Sequence, residues 1–190
     1  MDDDAEDEIM EATYGALCEN GYAGLTMQDI ADESEKSKPT LHYHYGTKQE
    51  LLLAFLDYLL DEFHERLEGD GDDPADELVS LLTPREDEVG DGFRTAMLEM
   101  KAQSPYNEGV RDRFVEYEEE LKTYIEDTVR RGVEEGVFRN DVDAEGTAEM
   151  LVALGNGLRT RSVTVGKTDD ELRATVETYV ETCLVDGDGV

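Results

Sequence analysis

Between residues 36 and 48 the chain carries Lys36, Lys38, Lys48, His42 and His44, interleaved with Ser37, Thr40 and Tyr43, and not one Asp or Glu. Elsewhere acids dominate, with 49 Asp and Glu against 17 Lys and Arg and a formal net charge of −32. Cations mixed with hydroxyl groups suit a phosphate backbone, which point charges and O–H donors hold in register. Thr and Tyr side chains can also reach base edges and thymine methyls. Competing chemistries are weaker. His42 and His44 are two residues apart and leave a helix on different faces, and the one other histidine is His64, so no metal-ligand set forms. Ser, His and Asp occur without a nucleophile elbow or a phosphate-cradling glycine loop, so neither catalysis nor a cofactor is expected. Cys18 and Cys183 stand in separate apolar stripes without a CxxC pair and read as buried thiols.

Those side chains need a scaffold. Ile9, Thr13, Ala16 and Leu17 recur at helical spacing after an acidic lead, and Asn20-Gly21 supplies a stop. Thr26 with Asp29 three residues on is a capping-box variant that opens a short second helix carrying Ile30 and Ala31 inward and ending near Ser34. Ser37 caps a third helix, Pro39 is tolerated in its first turn, Leu41 and Tyr45 form an i,i+4 apolar pair, and Gly46 ends it. Thr47-Lys48-Gln49-Glu50 is a full capping box for a long fourth helix with Leu51, Phe55, Leu59 and Phe63 on one stripe. Two short helices joined by a tight turn have the proportions of a helix-turn-helix, whose second helix enters the major groove.

Beyond this head, Gly69-Asp70-Gly71-Asp72-Asp73-Pro74 reads as a linker, followed by a helix over 75–82 and a loop over 83–92. A helix bearing Phe93, Met97, Met100 and Lys101 runs up to Ser104-Pro105. Over 107–136, Val110, Phe114, Tyr117, Leu121, Tyr124 and Thr128 recur at four- and three-residue steps, an amphipathic helix. After a turn at 136–141 come two more stripes, one of Ala148, Leu151, Val152, Gly155 and Leu158, the other of Leu172, Val176, Tyr179, Val180, Cys183 and Leu184. No segment reads as a strand, so the fold class is all-α.

The ordered string Gly24-Leu25-Thr26-Met27-Gln28-Asp29-Ile30-Ala31, then Ser37-Lys38-Pro39-Thr40-Leu41-His42-Tyr43-His44-Tyr45, then Lys48-Gln49-Glu50-Leu51, closely resembles the N-terminal signature of tetracycline-repressor (TetR) family regulators. Gly132-Val133-Glu134-Glu135-Gly136-Val137-Phe138-Arg139 is similar to that family's turn before its penultimate helix. The resemblance implies a three-helix DNA-binding head with a helix-turn-helix over residues 1–50. It also implies a linking fourth helix and a larger helical ligand-binding and dimerisation domain, together covering 51–190. It implies a homodimer on double-stranded operator DNA, released by a small-molecule effector. Its DNA-facing set, carried onto this chain, is Thr26, Gln28, Lys36, Ser37, Lys38, Pro39, Thr40, His42, Tyr43, His44 and Lys48, with Thr26 on phosphate and Lys48 clamping the backbone.

Candidate pocket residues are Phe93, Met97, Met100, Phe114, Tyr117, Leu121, Tyr124, Leu151 and Asn156, because Met and Tyr combine adaptability with polar handles. Candidate dimer contacts are Ala148, Val152, Gly155, Leu158, Leu172, Val176, Tyr179, Val180 and Cys183, two stripes able to form a four-helix bundle across a twofold axis. The chain departs from the family where Ala-Gly and an aliphatic residue are usual in the turn: here stand Ser34, Glu35 and Lys36, and His42 replaces a common Tyr. A left-handed residue at Glu35 would be unfavourable by roughly 1 kcal/mol. Lys36 would cover apolar surface with its stem alone.

A net charge of −32 argues on its face against nucleic acid, since phosphate binding needs Lys and Arg. The alternative to a DNA-binding regulator is therefore an acidic helical protein-interaction module that has lost DNA binding. With six Lys and no Trp, the surface fits a protein of a salt-loving organism that keeps molar salt inside the cell, where roughly 3 Å screening at 1 M suppresses self-repulsion. No signal sequence or membrane-crossing stretch is read, so a cytoplasmic protein with no membrane partner is expected. Circular dichroism against KCl checks the salt reading: helical signal should rise between dilute buffer and molar KCl, and a fold complete in dilute buffer and indifferent to salt would contradict it.

Overall fold

The computed structural model shows Thr26, Ser37, Thr47, Asp73 and Thr168 capping helix starts through hydroxyl or carboxylate oxygens, whereas Gly90 and Asp143 make no side-chain cap bond. It describes residues 3–67, 73–83 and 90–185. The elements are α1 (Asp3–Gly24), α2 (Met27–Glu33), α3 (Lys38–Tyr45), α4 (Lys48–Leu67), α5 (Pro74–Leu82), α6 (Asp91–Lys101), α7 (Glu108–Glu134), α8 (Ala144–Val165) and α9 (Asp169–Tyr179), with a closing π-turn at Val180–Leu184. The chain is all-helical, as expected: among the described residues the β-geometry is one isolated bridge, Phe138 with Val185. No described helix is long and apolar enough to cross a membrane. Residues 69–72 of the expected linker and 84–89 of the expected loop lie outside the described residues.

One helix end differs from expectation. Asn20-Gly21 interrupts α1 without ending it: Gly21 sits at φ 65°, ψ 172°, and one further turn follows to Gly24. A glycine is needed there because L side chains avoid that region.

The chain divides into two compact units, Met1–Arg66 with Gly90–Val115, and Leu67–Val89 with Glu116–Val190. The first unit takes in α4, α6 and the first turns of α7 together with the expected head. In that unit α1 lies against α2 and α6, and α2 against α3. Ile9, Met10, Leu17, Ile30, Leu41, Leu51, Phe55, Ala96 and Met100 form its core. The Phe93 ring meets Tyr14 at 4.5 Å and Phe55 edge-on at 6.2 Å. Arg113 of α7 ties itself to α4, donating from Nε to the Leu53 carbonyl (3.1 Å) and from Nη2 to Asp57 (2.6 Å).

In the second unit α9 packs on α5 and α8, around Leu78, Leu82, Ile125, Val129, Leu151 and Val176. Its polar tie is Glu77, which accepts from Thr128 (2.8 Å) and pairs with Arg131. The segment after α9 is held where the Arg139 amide donates to the Leu184 carbonyl (2.8 Å) and the guanidinium to that of Cys183 (2.7 Å).

At Gly92 two helices of the head approach backbone to backbone. A Cβ built on Gly92 of α6 would fall 2.1 Å from the Cys18 carbonyl oxygen of α1. Gly92→Ala should gain on the order of 1 kcal/mol in helix propensity. It should lose more by forcing α6 off α1, overpacking that costs roughly 1–3 kcal/mol even against mobile side chains. The expected net result is a lower urea midpoint, and an unchanged or raised midpoint would contradict this packing.

Candidate nucleic-acid interface

The reading element is assembled from local caps. Thr26 is the N-cap of α2: its hydroxyl accepts from the amides of Gln28 (3.2 Å) and Asp29 (3.3 Å), and the Asp29 carboxylate accepts from the Thr26 amide (2.7 Å). Ser37 caps α3 by accepting from the Thr40 amide (3.3 Å). Gly46 closes it at φ 61°, donating to the His42 carbonyl (3.0 Å). Thr47 and Glu50 exchange side-chain and backbone bonds at 3.0 and 3.1 Å and start α4. Each pairing satisfies amides that a helix start leaves without partners.

Between α2 and α3 no left-handed residue is used: positive φ occurs at glycines alone among the described residues, and Ser34 is extended at φ −118°. The strain foreseen for Glu35 therefore does not arise. The turn is held from outside. Glu8 of α1 accepts from the Glu35 amide through Oε1 (2.8 Å) and pairs with Lys36 through Oε2 (2.7 Å), while the Ser34 hydroxyl accepts from the Lys36 amide (2.8 Å). The hydrogen bond from Lys36 holds the Glu8 carboxyl below the ordinary carboxylate range, so the clamp is charged at neutral pH.

The expected DNA-facing residues divide by the work they already do. Lys38, Pro39, His42 and Tyr43 share one exposed face of α3, and His44 flanks it with its ring edge-on to Tyr43 at 5.2 Å. Tyr43 is 85% exposed and buries nothing in the head. His42 also pairs its Nδ1 with the Gly46 carbonyl (2.8 Å), and Thr40 shares a 2.8 Å bond with the Ser37 hydroxyl. Leu41 is wholly buried and Tyr45 half-buried, as expected; burial and nearby Glu6 push the Tyr45 hydroxyl up to about 12.

Others are engaged within the fold. Lys36 is paired with Glu8, Gln28 with Asp32 (2.7 Å), and the Thr26 hydroxyl with Asp29 (2.7 Å). Lys48 donates to the carbonyls of Leu25 (2.9 Å) and Tyr22 (3.3 Å) and lies over the Tyr22 ring at 5.3 Å. Two of its three ammonium protons are thus spent on the end of α1, a role the sequence reading did not foresee. Glu8, Tyr22 and Glu99 were also missed. Glu99 of α6 accepts from the amides of Tyr22 (2.8 Å) and Ala23 (3.4 Å).

The expected pocket residues fall in both units. In the first, Phe93 and Met100 are buried core, Met97 is half-buried, and Lys101 lies over the Phe114 ring at 5.7 Å. In the second, Leu121 and Leu151 are core. Tyr117 accepts from Arg159 (3.2 Å) and Asn156 donates to Glu118 (2.9 Å). Burial, then a hydrogen bond with Glu77, pushes the Tyr124 hydroxyl up to about 12.

The residues expected at a dimer interface are mostly buried in the single chain. Ala148, Val152, Gly155, Leu158, Leu172, Val176 and Val180 are already buried within the single chain, and a Cβ on Gly155 would come 3.1 Å from Leu82. Tyr179 and Cys183 are half-buried.

Two family models match the chain: "Bacterial regulatory proteins, tetR family" over residues 9–55, and "BetI-type transcriptional repressor, C-terminal" over 73–185. The fold is similar to that of a TetR transcription regulator from Haloarcula marismortui, at 41% identity and TM-score 0.83 over 96% of this chain and 99% of that one. It is also similar to a transcriptional regulator from Saccharomonospora viridis solved in complex with choline, at 26% identity and TM-score 0.85 over 97% and 100%. The HTH-type transcriptional repressor AcnR of Corynebacterium glutamicum is 24% identical over 163 residues, 85% of this chain and 84% of that protein.

Proposed function

This chain belongs to the TetR family of DNA-binding transcriptional regulators, and from that premise we propose that it is a homodimeric repressor that grips a pseudo-palindromic operator through α3 and releases it on binding a small-molecule effector. The family consists of regulators, not enzymes. The observation that carries the reading is the exposed face of α3. Lys38, Pro39, His42 and Tyr43 lie on it with His44 at its edge, inside an acid-free stretch of a chain of net charge −32. A tyrosine 85% exposed on a short helix serves no packing purpose, whereas a groove would bury it.

Among the described residues Lys38 is the lysine of this element left for phosphate, and Lys48 keeps a third proton; Lys36 is neutralised by Glu8. Few cations on a strongly acidic surface mean few counterions released, so affinity should fall with salt more gently than for a basic regulator. Molar salt would screen the repulsion between acid surface and polyanion. This supports the reading of the surface as one adapted to high salt.

For the dimer, the outward face of α8 is the better candidate. Met150 (55% exposed), Ala153, Gly157 and Val165 (63%) recur at helical spacing, and a Cβ on Gly157 would meet nothing within 4 Å. Small residues along such a stripe let a second copy approach closely, and a twofold axis would pair the stripe with itself. For the effector we favour an organic cation of the choline kind. The Saccharomonospora viridis regulator was solved in complex with choline, and in this chain α7 carries Tyr117, Glu118, Glu120 and Tyr124, aromatic rings and carboxylates of the kinds that suit a quaternary ammonium.

Selection and footprinting of genomic DNA in molar KCl test the repressor reading. Lys38→Ala and Tyr43→Ala should each weaken the footprint at least tenfold, on the scale of one lost base or phosphate contact, with unchanged melting. Gly157→Glu should weaken it by splitting the dimer. If the folded wild-type chain protects no DNA, the acidic interaction module becomes the better description. Choline added to the complex should release the operator; a footprint unmoved by saturating choline would remove the cation assignment and leave repression standing.

A further inference from the structure

The turn that delivers the chain into the reading element is held by two charges from two different helices. At Gly21 the backbone breaks to φ 65°, and residues 21–25 make a single turn that ends one residue before the Thr26 cap. Its amides point to α6, where one oxygen of Glu99 accepts from Tyr22 (2.8 Å) and Ala23 (3.4 Å). Its carbonyls point to α4, where Lys48 donates to Tyr22 (3.3 Å) and Leu25 (2.9 Å). The fit is close on the Glu99 side: a Cβ on Gly21 would stand 3.2 Å from that oxygen. Leu25, 2% exposed, plugs the core directly behind the turn.

We infer that Glu99 is a positioning residue for operator binding: by holding the amides of Tyr22 and Ala23 from α6 it sets the pose of the turn that presents Thr26, α2 and α3. The inference rests on the assignment of α3 as the operator-reading helix. Glu99 touches no DNA in this scheme. Its carboxylate acts through the backbone, as Lys48 does from the opposite side, so the two charges together fix a segment whose sequence supplies no cap of its own.

The sign of the effect separates positioning from simple electrostatics. Glu99→Gln removes one negative charge from a protein of net charge −32, which by Coulomb repulsion alone should tighten binding to a polyanion. Positioning demands the opposite. An amide oxygen is a weaker acceptor than a carboxylate, so Glu99→Gln should weaken operator binding several-fold and Glu99→Ala by about tenfold or more. The slope of log affinity against log salt should stay at its wild-type value, because no phosphate contact is lost. Lys38→Ala, by contrast, should reduce that slope by about 0.9 for each phosphate released.

The decisive measurement is operator affinity against KCl for wild type, Glu99→Gln and Glu99→Ala, with hydrogen exchange at the Tyr22 and Ala23 amides followed on the same proteins without DNA. The inference predicts faster exchange at those amides, weakened binding, an unchanged slope and intact helicity. It is overturned if both variants bind as well as or better than wild type, or if binding is lost only together with helix content in both. Absence of operator binding by the wild type would instead overturn the assignment of α3 on which it rests, through a measurement made before any variant is needed.

Discussion

A helix broken in mid-course exposes backbone groups that must find partners, and the head of this protein is organised around one such break at Gly21. In the turn after it the Leu25 amide donates to the Gly21 carbonyl (3.1 Å), while the amides of Tyr22 and Ala23 find their acceptor on another helix. Those two amides are met by Glu99 and the carbonyls of Tyr22 and Leu25 by Lys48, from helices distant in sequence. Hydrogen bonds to charged groups are about twice as strong as neutral ones, and they replace what an unbroken ladder would have given. That requirement draws α4 and α6 into the head, and the backbone contact of Gly92 with Cys18 is the packing that lets α6 come close enough to serve. The compact unit accordingly extends to Arg66 and includes Gly90–Val115.

The same economy governs charge. Of the three lysines in the reading element, one is neutralised by Glu8 and one is shared with the end of α1, so Lys38 alone stands clear in the fold. At 0.1 M salt the surrounding acids act over about 10 Å, roughly the diameter of a helix with its side chains; at 1 M that range contracts to roughly 3 Å. An interface of few cations with an exposed tyrosine and two histidines then gains in relative weight, because contacts at van der Waals range are insensitive to screening. The acid-free stretch matters less as a source of positive potential than as a place from which repulsion has been removed.

What was legible in the sequence was local. Thr26 with Asp29, Ser37 with Thr40, and Thr47 with Glu50 are side chains meeting backbone amides two or three residues on, so their spacing is their geometry, and all three appear as read. Leu41 facing inward follows from helical period in the same way. The misses are contacts between distant positions. Glu8 reaches the turn from 27 residues away and Glu99 reaches Tyr22 from 77 away, and nothing in their type or spacing distinguishes these two among the 49 acidic residues of the chain. The turn itself was judged by the left-handed geometry expected of it; with Glu8 supplying the tie, extended backbone at Ser34 closes it without strain.

The dimer stripe shows a different limit. A helix in the middle of a bundle carries an apolar stripe whether or not a second copy ever meets it, so Ala148, Leu151, Gly155 and Leu158 satisfy the pattern of an interface and of a core equally well. In the single chain Leu82 stands over Gly155, and Ala148, Leu151 and Leu158 are buried with it. On the opposite side of α8, Met150 and Val165 are exposed among small and polar residues that no hydrophobic periodicity would single out. A twofold interface needs self-complementary shape more than bulk hydrophobicity. Glycine at position 157, with open space where its side chain would be, is therefore a stronger indication of such a face than any of the larger apolar residues buried behind it.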